Sequence, residues 1–445
     1  MNQNCVIIIV QFTQFINGKK FYIERNMNKK FSESFTKNQN RVICLPFDQK
    51  TYHEIINDAP AFRMQLDEFI KQFPQQFPTE IVHGYRLKDI RFPKKLPIPI
   101  RRIEIGRIGY TIRPSFVMPH MTGMTEEVEK ALLLRKYNVP FHVLSYCFGY
   151  NAMKWFRMEL SLGRNNLVGT TINWENDLPQ HVDADEKHTW ISGEKAYIAV
   201  TSANNCILGA SIVKSADETQ LTKGYGIFQQ ETQQISPGYA PKTVTTDGWV
   251  ATQNAWKILF PSILLIACFL HIFIKIRSRT KNKLKEAGSK LVTKLWNCYR
   301  ATNKRTFSQR VRRLVEWTSK NNIPSFIGSI LEKLRDKSIF FTNAYDFPEA
   351  PRTTNMVDRL MRPLDKHLFC SQYFHGTLES AELSVRAFAL YQNFTPSNPY
   401  TIKKYNGWQS PAERLNQFRY HDNWLQNLLV SASQRRFFSS PQNPL

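Results

Sequence analysis

The chain of 445 residues carries 60 Lys and Arg against 36 Asp and Glu, a formal net charge of +24. That length exceeds one compact core and suggests about two to four units, while 42% hydrophobic and 22% charged residues exclude a disordered chain. The cationic excess asks for a polyanionic partner, nucleic acid first and an anionic membrane surface second. The seven scattered cysteines contain no CxxC pair, which excludes a disulfide framework or zinc ribbon and fits a reducing cytoplasm.

Residues 1–40 are polar without a steady period and are expected to form a loosely ordered arm. The apolar run 5–10 has no basic stretch before it and no small-residue cleavage site, so it does not read as a signal peptide. Residues 41–104, broken by Pro46, Pro60, Pro74, Pro78, Pro93, Pro97 and Pro99, suggest a small substructure that leads through Arg101, Arg102 and Arg107 into a basic connection.

Residues 105–175 read as helical. Thr125 followed by Glu126 and Glu127 opens a helix over 125–137, as helix starts prefer. Asn138 and Pro140 end it, a short apolar stretch spans 141–148, Gly149 permits a turn, and a further helix spans 151–162. This order suits a helix-turn-helix whose last helix presents Lys154, Arg157 or Arg164 to the DNA major groove. A helical subdomain that only packs is the bland alternative.

Beyond Leu178 and Pro179 the texture becomes β. Strands over 189–191, 196–201 and 206–213 are separated by the turn pairs Ser192-Gly193 and Asn204-Asn205. A fourth strand ends at Asp247-Gly248, a helix follows over 249–260, and 263–267 reads as a buried strand. The apolar run 258–274 also has the look of a membrane span with basic flanks, against which stand Pro261, Ser262, His271 and a length of about 17 residues. Residues 275–347 predict a basic helical insertion carrying Lys281, Lys285 and Arg312, and 348–445 begins with a helix over 353–369.

Two acidic features stand at strand ends. The run from His181 to Trp190, with Asp183, Asp185, Glu186, Lys187 and His188, opens one strand, and Asp247 closes another with Gly248 leaving room beside it. Carboxylates projecting from one sheet edge are hard oxygen donors suited to Mg²⁺. Each alone is more often a solvated surface or a turn.

Taken together, Asp185-Glu186, Ser192-Gly193 with the strand to Val200, Cys206 to Gly209, and Thr245-Thr246-Asp247-Gly248 resemble a DDE/DDD transposase of the ribonuclease H-like superfamily. Cys268 and His271 resemble the C-x-x-H element of Mutator-like and related bacterial insertion-sequence transposases, and Arg352-Thr353-Thr354-Asn355 followed by Asp358-Arg359 is similar to the family's T-T-N-x-x-E-R segment, with Asp in place of Glu. The match extends over about 105–430 and includes 406–427, whose role the residues do not reveal.

The resemblance implies an α/β fold: a ribonuclease H-like mixed sheet with a helical insertion, preceded by a mostly helical DNA-binding region. It implies Asp185, Asp247 and Asp358 as catalytic and metal-binding residues, with Glu349, Asp365, Glu379 and Glu382 as alternatives for the third. Two Mg²⁺ or Mn²⁺ ions about 3.5–4 Å apart are the cofactor such a triad uses, with Asp185 bridging them. Cys268 and His271 are expected to be structural rather than zinc ligands, and His188 either to touch the scissile phosphate or merely to pack.

The implied partners are double-stranded DNA, as element ends and target, and further copies of the chain in a homo-oligomer, in a prokaryotic cytoplasm at the nucleoid and without a membrane. A nuclease or resolvase that cuts without joining, a decayed element protein, and a membrane-anchored basic binding protein are the competing readings.

Overall fold

The computed structural model describes residues 41–433 except Pro97, 281–284 and Asn322, and, as a unit of its own, the antiparallel pair β1 (Phe15–Ile16) and β2 (Lys19–Lys20). The rest of the expected arm lies outside the described residues. The protein is α/β, with mixed sheets and many helices.

The first part combines β3 (Val42–Leu45), α1 (Gln49–Ile55), α2 (Ala59–Gln72), β4 (Arg86–Arg91), β5 (Ile100–Ile105) and β6 (Ile108–Pro114). Asp48 and Asp58 cap the two helices by accepting from Thr51 and Ala61 N–H groups. The sheet order is β3-β6-β5-β4, with β3 parallel to β6. The expected boundary at residue 104 therefore cuts a hairpin in which Ile105 pairs with Ile108. Nor are two of its arginines a free basic connection: Arg101 is buried, donating to Ile56 O and lying over Phe62, while Arg102 grips Asp89 at 2.6 and 2.7 Å.

Next come α3 (Thr125–Lys136), α4 (Phe141–Phe148), α5 (Ala152–Gly163) and α6 (Leu167–Thr171). The three-helix order matches the sequence reading, with Gly149 at φ 71° in the turn.

The central sheet is built from β7 (His181–Ile191), β8 (Glu194–Ala203), β9 (Cys206–Val213), β10 (Thr243–Thr246) and β11 (Leu264–Ala267), with α7 (Glu218–Gln233) and α8 (Val250–Leu259) between the later strands. Its order is β11-β10-β7-β8-β9. β7, β8 and β9 are antiparallel neighbours, and β10 and β11 run parallel to β7. The two hairpin turns fall at Ser192-Gly193 and Asn204-Asn205, all four residues at positive φ. The acids lie within β7 rather than ahead of it.

After β11 the chain forms α9 (Phe269–Thr280), α10 (Lys285–Tyr299), α11 (Lys304–Lys320), α12 (Ser325–Asp336) and α13 (Ser338–Thr342) around their own core of Leu291, Leu295, Phe307, Leu314 and Leu331. It returns to the sheet through α14 (Asn355–Cys370), α15 (Leu378–Phe394), α16 (Pro399–Lys404), α17 (Pro411–Asn416) and α18 (Trp424–Ser431). The apolar run 258–274 is divided among α8, β11 and α9, and among the described residues no helix is long and apolar enough to cross a membrane.

Strand alternation sorts the central sheet's two faces. Val182 and Ala184 pack with Tyr225 of α7 and Trp256 of α8. Ala196, Ile198 and Val200 of β8 pack with Val357, Met361 and Leu364 of α14. Asp185 and Lys187, paired with Val200 and Ile198, share that second face.

Candidate active site

Register brings the first two acids together. Thr243, Val244 and Thr245 pair with His181, Val182 and Asp183. Asp247 follows the end of β10, on the side of the sheet's edge toward which the parallel register with β7 leads to Asp185, and its charge acts on Asp185. Gly248 follows at φ 93°, a conformation that suits glycine, and Asp247 Oδ1 accepts from Trp249 N–H at 2.8 Å.

Asp358 arrives from the opposite layer, in the first turn of α14, whose positive helix end favours a carboxylate. The start of that helix is pinned to the sheet. Thr354 donates both its N–H and its hydroxyl to Cys268 Sγ at 3.2 and 3.3 Å, and Thr245 Oγ1 donates to Pro351 O at 2.7 Å. Cys268 lies beside His271 and its proximity raises the imidazole pKa to about 8, helped by the charges of Asp247 and Asp185 and opposed by burial. Burial pushes the Cys268 thiol up, but its contacts with His271 and Thr354 prevail and bring it below its usual value.

The acids feel one another. Burial raises Asp185 to about 7, and the charges of Glu186, Asp247 and Asp358 add to the shift. Burial likewise raises Asp358, with His271 opposing. The structure therefore brings Asp185, Asp247, Asp358 and the Cys268-His271 pair into one neighbourhood. The alternatives lie elsewhere: Glu349 is exposed and faces His181, Asp365 pairs with Lys187, Glu379 is exposed, and Glu382 is buried with Ser211 at 2.6 Å.

Two further acids of the same run take positions that the sequence reading did not assign. Asp183 is 0% exposed, and neither carboxylate oxygen finds a hydrogen-bond partner among the described residues. Burial raises it to about 8, with Cys268, Asp358 and Asp185 contributing. Its spacing of two from Asp185 was the available signal, since strand residues two apart share a face. Glu186, on the other face, accepts from Tyr225 and Thr252 hydroxyls at 2.7 and 2.6 Å and fastens β7 to α7 and α8.

Alternation also turns His188 away from Asp185, since the pairing of β7 with β8 runs unbroken between them. His188 thus faces away from Asp185, and its ring lies 4.6 Å from that of Tyr197.

Among the described residues no three His, Cys, Asp or Glu side chains stand in a metal-holding arrangement. In kind, however, the donors fit a hard divalent cation: they are carboxylates, and the raised Asp185 and unpartnered Asp183 register a shortage of positive charge.

The DNA-contact candidates are dispersed. Lys154 is half-buried with Nζ 3.1 Å from the Tyr150 ring centroid, while Arg157 and Arg164 are exposed. α5 buries Trp155, Met158 and Leu162, so only its opposite face is open. Arg312 is exposed and pairs with Glu316 at 3.4 Å. Lys281 and the Lys285 side chain lie outside the described residues. Compared with known proteins, the chain matches no family model and no curated protein.

Proposed function

We propose that the chain belongs, by class, to the enzymes that break phosphodiesters with carboxylate-held divalent cations on a ribonuclease H-like core. Within that class it is a DDE/DDD transposase, cutting DNA at the ends of a mobile element and joining the strand to a target.

The observation that carries the reading is that Asp247 follows the strand paired parallel to β7 and that the charges of Asp247 and Asp358, the latter on a helix, both act on Asp185. The strand order supports it too: three antiparallel strands, then two parallel to the first on its other side, is the order of a ribonuclease H-like sheet. So does the basic helical unit between the second and third acids.

Asp185, Asp247 and Asp358 would hold Mg²⁺ or Mn²⁺, two ions by the resemblance. Bound there, such ions supply neutralising charge at the attacked phosphate and activate a water or a 3′-hydroxyl for in-line displacement. The chain's own share is positioning. The Trp249 N–H fixes Asp247, and the Cys268-Thr354 contacts fix the helix end from which Asp358 projects.

Arg157, Arg164, Arg312 and the lysines of the insertion would follow the phosphate backbone of double-stranded DNA, giving strongly salt-dependent binding. A homo-oligomeric assembly in the cytoplasm, at the nucleoid, completes the proposal.

The test is Mg²⁺-dependent cleavage and joining of labelled duplex carrying the terminal sequences of the element. Wild type should do both, and Asp185→Asn, Asp247→Asn and Asp358→Asn should bind DNA yet do neither. Cleavage without joining would favour a nuclease or resolvase. An active Asp358→Asn would remove the third acid, and an inert wild type that still binds DNA would favour a decayed element protein.

A further inference from the structure

The stretch 406–427 contains α17, and α17 sets Arg414 close enough to Lys136, the last residue of α3, for their charges to interact. Both side chains are fixed on the segment that follows α15. Lys136 Nζ donates to Thr395 Oγ1 at 2.5 Å, and Arg414 Nη1 donates to Ser397 Oγ at 3.1 Å. Two residues separate those hydroxyls along the chain, so their backbones lie at most about 7 Å apart.

Two cations held this way repel each other. Among the described residues neither forms an ion pair with a carboxylate. Both side chains are half-buried. Burial lowers the pKa of each, that of Lys136 to about 8, with the charge of Arg414 as the second cause. Glu413 acts on Arg414, but it is committed to the Gln409 N–H, to Ser410 and to Arg419. A half-buried pair of like charges without a counterion is unfavourable, and an anion seated between them removes the penalty.

The donors left over suit a phosphate. Arg414 Nε and Nη2 take no hydrogen bond among the described residues, which leaves open the planar edge that grips two oxygens at once. Lys136 has two further N–H groups, and Ser397, an acceptor toward Arg414, retains its own hydrogen. The Tyr405 ring lies 5.0 Å from the Arg414 guanidinium and 5.4 Å from Lys404 Nζ, and at this rim Lys403, Lys404 and Tyr405 are exposed.

The pair belongs to the Asp185 side of the central sheet, where α3, α14 and α15 pack into one core with Ile198 and Val200. Arg414 acts on Cys206 at the start of β9. That strand is two over from β7, about 10 Å across the sheet. The neighbouring Asn205 donates its N–H to the sulfur of Met356, two residues before Asp358. A duplex held at the acids covers 10 Å within about three base pairs.

We propose that Lys136 and Arg414, with the Ser397 hydroxyl, clamp a backbone phosphate of double-stranded DNA beside the acids. The inference rests on the DNA-processing reading above. The exposed Lys403 and Lys404 continue the positive charge outward from the clamp, as a polymer of phosphates requires and a single small phosphate does not.

The experiment is fluorescence anisotropy of a labelled duplex against KCl concentration, for the full chain and for Lys136→Gln/Arg414→Gln, Arg414→Gln alone and Lys136→Arg/Arg414→Lys. The slope of log affinity against log salt should become shallower by about one to two in the double Gln variant and by about one in Arg414→Gln, while the charge-keeping pair retains it. Melting temperature without DNA checks that each variant is folded, and Arg414→Gln carries the test should the double variant not fold. A slope unchanged by the Gln substitutions overturns the clamp and leaves the transposase reading standing. Wild type that binds no duplex overturns both. A second arm heats wild type and the double Gln variant in inorganic phosphate and in KCl of equal ionic strength. Phosphate that protects wild type alone, with the DNA slope unchanged, assigns the site to a free phosphate and overturns DNA as its occupant.

Discussion

Replacing Asp183 with Asn should make the metal-free protein more stable at neutral pH. Asp183 is fully buried, its oxygens have no hydrogen-bond partner among the described residues, and its pKa is raised to about 8. In the unfolded chain the group titrates near 3.9. Between those values the folded state holds one proton more, so wild-type stability falls as pH rises, by about 1.4 kcal/mol per unit.

From pH 4.5 to 7.5 the loss attributable to Asp183 reaches about 4 kcal/mol at most. Asn removes that dependence but leaves a buried amide unpaired, at a cost of about 1–3 kcal/mol. Asp183→Asn should therefore be neutral or destabilised at pH 4.5 and more stable than wild type by roughly 1–3 kcal/mol at pH 7.5. Urea unfolding of both proteins in EDTA at the two pH values measures the difference directly. Asp185, raised to about 7 beside it, titrates in the same window and is common to both proteins. A difference that does not change with pH would show that Asp183 does not carry this charge penalty.

Two further outcomes follow from the packing. An added Cβ at Gly163 would lie 1.9 Å from Leu383 O, so Gly163→Ala must force α5 away from α15 and should lower unfolding free energy by at least about 2 kcal/mol; wild-type urea stability would contradict that close approach. His367 is buried with Nδ1 3.1 Å from Asn138 Oδ1, and burial lowers its pKa to about 4. The folded state thus resists protonation that the unfolded chain accepts below about 6.5, and wild type should lose up to about 3 kcal/mol as pH falls from 6.5 to 4. His367→Gln should lose less over that range, and an equal loss would exclude His367 as the source.

The strands, turns and acids of the central sheet were legible because short-range chemistry dictates them: turn pairs that accept positive φ, and runs of apolar residues between them. The buried helix α15 was not. Residues Ala381 to Phe394 are all buried, so no polar stripe marks a face, and Glu382, Arg386 and Asn393 bond to partners distant in sequence such as Ser211, Glu231 and Ile207. α7 was hidden by Gly224 and Gly226, which disfavour helix locally. Gly224 is accounted for by the sheet, since a Cβ there would come within 2.9 Å of Val213 and 3.1 Å of Ala199. The N-terminal sheet was obscured by its prolines and by arginines whose partners lie far along the chain. At the site, pattern singled out Asp185 and Asp247 and the resemblance alone pointed to Asp358, whereas the facing of His188 and the burial of Asp183 depend on which layer covers each side of β7.

The helical unit α9–α13 departs from the sheet at Phe269 and returns at Arg352, and those two residues are joined by a backbone hydrogen bond of 3.3 Å, beside the Cys268-Thr354 contacts. Its two ends therefore form a clasp, closed independently of whatever hangs from it. Such a clasp uncouples the size of the pendant from the placement of Asp358: the pendant can lengthen, shrink or be exchanged over generations while the carboxylate stays opposite its two companions. The extent of the helical unit and the surroundings of Asp358 are thus free to change separately.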